Sequence, residues 1–104
     1  MKPKLAKNNA DIASKFVDGE ASKYGNVECD AGVYKLFGHA ICRCDVEQIS
    51  GQHKYVYRFD WCDHYTRSTA RHINNILNAL NANHRVSYAQ ARDAGVDKFV
   101  YVAG

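Results

Sequence analysis

Two alternating segments on either side of a glycine turn constrain this chain more than any other feature. His39 to Glu47 puts Ala40, Cys42, Cys44 and Val46 on one face of a strand, and His39, Ile41, Arg43, Asp45 and Glu47 on the other. Successive strand side chains point to opposite sides, so the pattern reads directly as two faces. Lys54 to Trp61 repeats it, with Tyr55, Tyr57, Phe59 and Trp61 on one face and Lys54, Val56, Arg58 and Asp60 on the other. Between them, Ser50-Gly51 makes a two-residue hairpin loop that pairs Ile49 with Gln52. That register sets Cys44 opposite Tyr57, Cys42 opposite Phe59, Ala40 opposite Trp61, Glu47 opposite Lys54 and Arg43 opposite Arg58. A slip of one residue would break all of these matches together.

The remaining segments supply partners for that hairpin. Asn8 or Asn9 can cap a first helix carrying Ile12, Ala13, Phe16 and Val17, which is expected to end near Ser22. Strands are expected over 26–30 and 33–37, about the turn Asp30-Ala31-Gly32. Thr66 or Ser68 caps a long helix with Ala70, Ile73, Ile76, Leu77 and Leu80 on one stripe. Ser87 caps a short helical segment through Arg92, closed by Gly95, and Lys98 to Val102 is a last strand. The expected fold is α+β: an antiparallel sheet of four to five strands, with one long and one or two short helices packed on its aromatic face. Residues 1–7, with three lysines, read as a flexible basic arm ahead of a single domain over 8–104. The strand at Lys98–Val102 leaves an open edge, compatible with a monomer or a homodimer.

Composition narrows the classes of function. A chain of 104 residues with 46% apolar and 24% charged residues has the usage of one globular domain rather than of a disordered segment. No apolar run approaches the roughly 20 residues that cross a bilayer, and the first nine residues have no apolar core of a secretory signal. The expected location is therefore the cytoplasm. A net charge of +3 speaks against an acidic nucleic-acid mimic.

Chemistry-bearing residues are sparse. Cys42, Cys44, Cys62 and His64 offer a zinc alternative, since zinc takes four sulfur or nitrogen ligands. The hairpin register separates Cys44 from Cys62 by roughly 16 Å at about 3.3 Å per residue, so the cysteines are read as core thiols and no metal is expected. Cys62, His64 and His72 are close in sequence without a group to orient a base. There is no glycine-rich phosphate loop and no HExxH. The expectation is a protein without catalytic residues or cofactor.

Charge asymmetry is the strongest functional lead. From His64 to Arg92 there are four arginines (67, 71, 85 and 92), three histidines and no acidic residue. Arg67, Arg71, Asn74, Asn75 and Asn78 share the exposed side of the long helix, flanked by Arg85 and Arg92. Arginine and asparagine recognise phosphates, base edges and carboxylates, so this side reads as a contact surface for nucleic acid or for an acidic protein patch. Exposed tyrosines among Tyr24, Tyr34, Tyr65 and Tyr88 would suit single-stranded bases. Arg43 opposite Arg58 is a second lead: the pair is either screened by Asp45 and Asp60 or grips an anion.

Asp30-Ala31-Gly32, the strand from Tyr34 to Gly38, Phe59-Asp60-Trp61 and the helix start Thr66-Arg67-Ser68-Thr69-Ala70-Arg71-His72-Ile73-Asn74 together resemble a group of short phage and mobile-element domains of unknown function. The resemblance spans roughly residues 26–80, and Ala31 departs from the usual Asp-Gly turn. It implies a phage accessory protein made in the cytoplasm of an infected bacterium. Such a protein would act by binding a host protein or ribonucleoprotein complex, such as a polymerase or a CRISPR effector, as an anti-defence inhibitor. Direct DNA or RNA binding is the alternative, and a small zinc protein the second.

Overall fold

The computed structural model describes residues 4–30, 32–61, 66–95 and 98–103. The central hairpin is built from β5 (His39–Ile49) and β6 (Gln52–Asp60). It pairs Ile49 with Gln52, Glu47 with Lys54, Cys44 with Tyr57, Arg43 with Arg58 and Cys42 with Phe59, in the expected register. Ser50 and Gly51 both take positive φ, 52° and 80°, as a twist-matched two-residue turn requires. The ladder of β5 with β6 runs from Ile49 and Gln52 to Cys42 and Phe59, and the expected match of Ala40 with Trp61 lies beyond it. Ala40 lies opposite Lys35 instead. On its side toward β4 (Val33–Leu36), β5 carries a bulge: Tyr34 pairs with Cys42 and Lys35 with Ala40, so Ile41 is the extra residue. Ile41 and Cys42 are consequently both buried despite being neighbours.

Around the hairpin the chain makes a meander. Strands β2 (Ser22–Tyr24), β3 (Val27–Asp30) and β4 (Val33–Leu36) precede β5, and β7 (Lys98–Ala103) follows on the far side of β6. These six strands are antiparallel, and β1 (Lys4–Leu5) adds a short parallel edge to β2. The sheet is thus wider than the expected four to five strands. The strand over 22–24 begins where the first helix was expected to end. That helix, α1 (Asn9–Val17), stops at Asp18 and is followed by Gly19 at φ 79°. Three residues that include Lys23 carry no alternation of their own; pairing to β3 makes them a strand. Within the predicted basic arm, residues 4–7 are tied to the body: Ala6 is buried, its amide donates to the Lys23 carbonyl, and the Lys7 amide donates to Asp11. Phe37, expected to end a strand, sits in the β4–β5 turn at φ 51°. Gly32 lies so close to β5 that a Cβ there would be 2.7 Å from the Cys44 carbonyl oxygen, which excludes any side chain.

The helices cover one face only. Asn8 caps α1 and Thr66 caps α2 (Arg67–Ala79), each side-chain oxygen accepting an amide of the first turn. Ile12 and Phe16 from α1 and Ile73, Ile76 and Leu77 from α2 meet Tyr34, Cys42, Tyr57, Phe59 and Trp61 in one core. Fully burying a side chain of that size is worth about 1.5–3 kcal/mol relative to exposing it, so this layer holds the domain together. Cys29 and Cys42 are buried and Cys44 is half-buried, as expected of core thiols. Ser87 caps the short α3 (Tyr88–Ala94), and Gly95 ends it in the left-handed conformation. No helix among the described residues is long and apolar enough to cross a membrane.

Candidate functional site: an arginine groove between α2 and α3

The i, i+4 spacing of Arg67, Arg71 and Asn75 lines them up along the solvent side of α2, opposite the buried Ile73, Ile76 and Leu77. That side becomes a groove because the chain after α2 doubles back along it. Asn74 does the folding work: its amide nitrogen donates to the Val86 carbonyl at 2.9 Å, and its carbonyl oxygen accepts the Val86 amide at 2.8 Å. The Asn74 side chain thus pairs with the backbone as a second strand would, and it fixes the neighbouring Arg85 against α2. The resulting open groove, of 460 Å³, is lined by Arg67, Arg71, Asn75, Arg85 and Tyr88, with Asn74 in its wall.

Electrostatics set the groove apart. Among the described residues that line it, none is acidic. Among the described residues, Arg67, Arg71 and Arg85 make no ion pair. The Arg67 guanidinium lies over the Tyr88 ring at 5.3 Å from its centroid, and that of Arg92 at 5.5 Å. A hydrogen bond from Arg67, followed by its charge, holds the Tyr88 hydroxyl below the usual tyrosine range. Arg92 also pairs with Asp93 at 3.3 Å. Like charges gathered on one helix face destabilise it by a few tenths of a kcal/mol per pair, a cost that an anion in the groove would reverse. Guanidinium forks suit the planar or tetrahedral oxygens of carboxylate and phosphate.

The structure brings together some of the predicted residues and separates others. Arg67, Arg71, Asn75 and Arg85 converge. Asn74 lines the groove, but its amide is committed to Val86, so its predicted role as a contact residue becomes one of positioning. Asn78 is exposed and lies outside the groove lining. Arg43 and Arg58 are on the opposite, uncovered face of the sheet. There Arg58 is held by Asp45 at 3.3 Å, as expected, and also by Glu47. Arg43 lines a separate shallow pocket with Glu28, Asp30, Val33 and Lys35. His72, counted in the acid-free stretch, is buried under α2 and shares a 2.8 Å hydrogen bond with the Tyr34 hydroxyl. Burial, reinforced by the charge of Arg71, pulls His72 below the usual imidazole range. Tyr34, one of the four tyrosines among which exposed stacking rings were sought, is wholly buried.

For the zinc alternative, Cys42 is sealed in the core, where burial pushes its thiol up. Burial also raises Cys44, which hydrogen-bonds Tyr57. Cys62 and His64 lie outside the described residues, as does Tyr65. Among the described residues no three His, Cys, Asp or Glu side chains gather as a metal site.

Sequence reading missed the contact of Tyr88 with two guanidinium groups. The i, i+4 spacing of Tyr88 and Arg92 after the Ser87 cap was the available signal. No family model matches the chain, and neither a curated protein nor a solved structure is found similar to it.

Proposed function

We propose that this chain is a non-enzymatic binding protein that seats an acidic patch of a host macromolecular machine in the α2–α3 arginine groove and so obstructs that machine. The observation that carries this reading is the convergence of Arg67, Arg71 and Arg85 without a counter-charge among the described residues, on a wall fixed by Asn74 and Val86. The setting, a phage accessory protein acting in the bacterial cytoplasm on a defence ribonucleoprotein or on transcription, rests on the resemblance of residues 26–80. A protein carboxylate patch fits better than stacked bases, because two guanidinium groups already occupy the Tyr88 ring.

The test is capture from bacterial lysate, with and without nuclease, by wild type and by the Arg67→Glu/Arg71→Glu double variant. Nuclease-resistant capture that the double variant loses supports the reading. Capture that survives the double change places the contact elsewhere. Capture lost on nuclease treatment, with a gel shift that weakens steeply as salt rises, replaces it with direct nucleic-acid binding.

A further inference from the structure

We infer that the free edge of β7 is a self-association surface, on which a second copy of this chain lays its own β7 antiparallel to the first. The inference starts from hydrogen-bond parity. A two-residue turn makes Ile49 and Gln52 a hydrogen-bonded pair, and such pairs alternate along an antiparallel ladder. On β5 the parity checks directly: the Cys44 amide points away from β6 and donates to the Gly32 carbonyl at 2.7 Å. On β6 it directs the peptide groups of Tyr55, Tyr57 and Phe59 toward β7, where Ala103, Tyr101 and Phe99 answer. The amides and carbonyls of Lys98, Val100 and Val102 therefore point out of the sheet, and no described residue bonds them.

Among the described residues this edge lacks the usual protection. Soluble sheets blunt a free edge with charge, proline or a bulge. Here the pairing of β7 to β6 is regular from Lys98 to Ala103, and Lys98 is the only charged residue in the strand. Apolar side chains stand open on both sides of it. Val100 and Val102 are 57% and 44% exposed on the uncovered face. On the other face, beyond the reach of the helices, Tyr55 and Val46 are 56% and 59% exposed, in one cross-strand row with Ala103.

The strand is complementary to itself. Centring a two-fold axis on Val100 puts Lys98 opposite Val102 of the second copy and Phe99 opposite Tyr101. Every outward amide and carbonyl of Lys98, Val100 and Val102 then has a partner. Valine meets valine on one face, ring meets ring on the other, and no like charges are opposed. The axis runs perpendicular to the sheet, so both sets of helices lie on one side of a continuous sheet. If the proposed function holds, two arginine grooves then face the same way.

The experiment is sedimentation velocity from micromolar to near-millimolar protein, paired with amide hydrogen exchange. The expected mass is twice the 11.7 kDa of the chain, and the Val100 amide is expected to exchange at least ~10-fold more slowly in the dimer than on dilution. Val100→Lys, at an exposed position, should yield a monomer with an unchanged circular-dichroism spectrum. A wild type that stays monomeric overturns the inference. So does a dimer that Val100→Lys leaves intact, or a dimer whose Val100 amide exchanges freely; that last readout needs no variant to fold. Arg67→Glu/Arg71→Glu should dimerise normally, so failure of the groove and failure of the edge are told apart.

Discussion

Arginines occur in two settings in this protein, and the contrast between them underlies the proposed function. On the uncovered face of the sheet, Arg58 sits between Asp45 and Glu47 and is answered on the spot. On the helical side, Arg67, Arg71 and Arg85 face a groove with no carboxylate among the described residues of its lining. The sheet arrangement satisfies itself by cross-strand neighbours. The groove has no such neighbour among the described residues, and its wall is held by the Asn74 side chain, which pairs with the Val86 backbone as a peptide would.

The sharpest way to break this contrast is charge reversal on each side. A charge-assisted hydrogen bond is worth about 1.5–3 kcal/mol, so Arg67→Glu/Arg71→Glu should weaken partner binding by ~100-fold or more, at the factor of ten per 1.4 kcal/mol. Its melting temperature should stay near that of wild type. Arg43→Glu should leave binding intact; titration of the captured partner against both variants checks the pair.

Asn74→Ala tests whether the wall makes the groove. It strands the Val86 amide and carbonyl and should cost about 1–3 kcal/mol of stability. Affinity should fall with it, because Arg85 loses its anchor, whereas Asn75→Ala should lower affinity alone. Urea unfolding beside binding measurements separates these outcomes.

The two sides of α2 give a pH test. His72 binds its proton less readily folded than unfolded, because burial and Arg71 disfavour the imidazolium. The unfolded chain therefore takes up more protons once pH falls below the ordinary histidine value of 6.5. Stability should be full above that value and decline as pH drops toward the lowered folded pKa. Thermal melts from pH 8 to pH 5 should show this decline in wild type. His72→Gln, which replaces the titrating ring with a neutral amide, should flatten it, and a slope equal to that of wild type would contradict the assignment.

The smallest effect belongs to the sheet pair. Arg58→Ala removes exposed ion pairs and should cost under about 1 kcal/mol, readable in the same urea titration.

How far the sequence revealed this architecture depended on whether the deciding contact was local. The hairpin register was legible because alternation and the Ser50-Gly51 turn agree within a few residues. The α2 stripe and its Thr66 cap were legible for the same reason. The Ile41 bulge was not, because it is set by pairing with β4. Strand β2 was hidden because β3, not its own pattern, holds it. The Tyr34–His72 bond joins residues far apart in sequence, so His72 read as surface charge. At the site, the four groove arginines and asparagines were visible as an acid-free stripe. The diversion of Asn74 to Val86 was invisible, because it depends on how the chain turns after α2.

The most direct measurement is an NMR titration of the arginine Nε–Hε resonances with a poly-glutamate peptide. The account predicts shifts at Arg67, Arg71 and Arg85 that saturate together, while Arg43 and Arg58 stay in place. Equal shifts at all five, or movement confined to the sheet arginines, would contradict it.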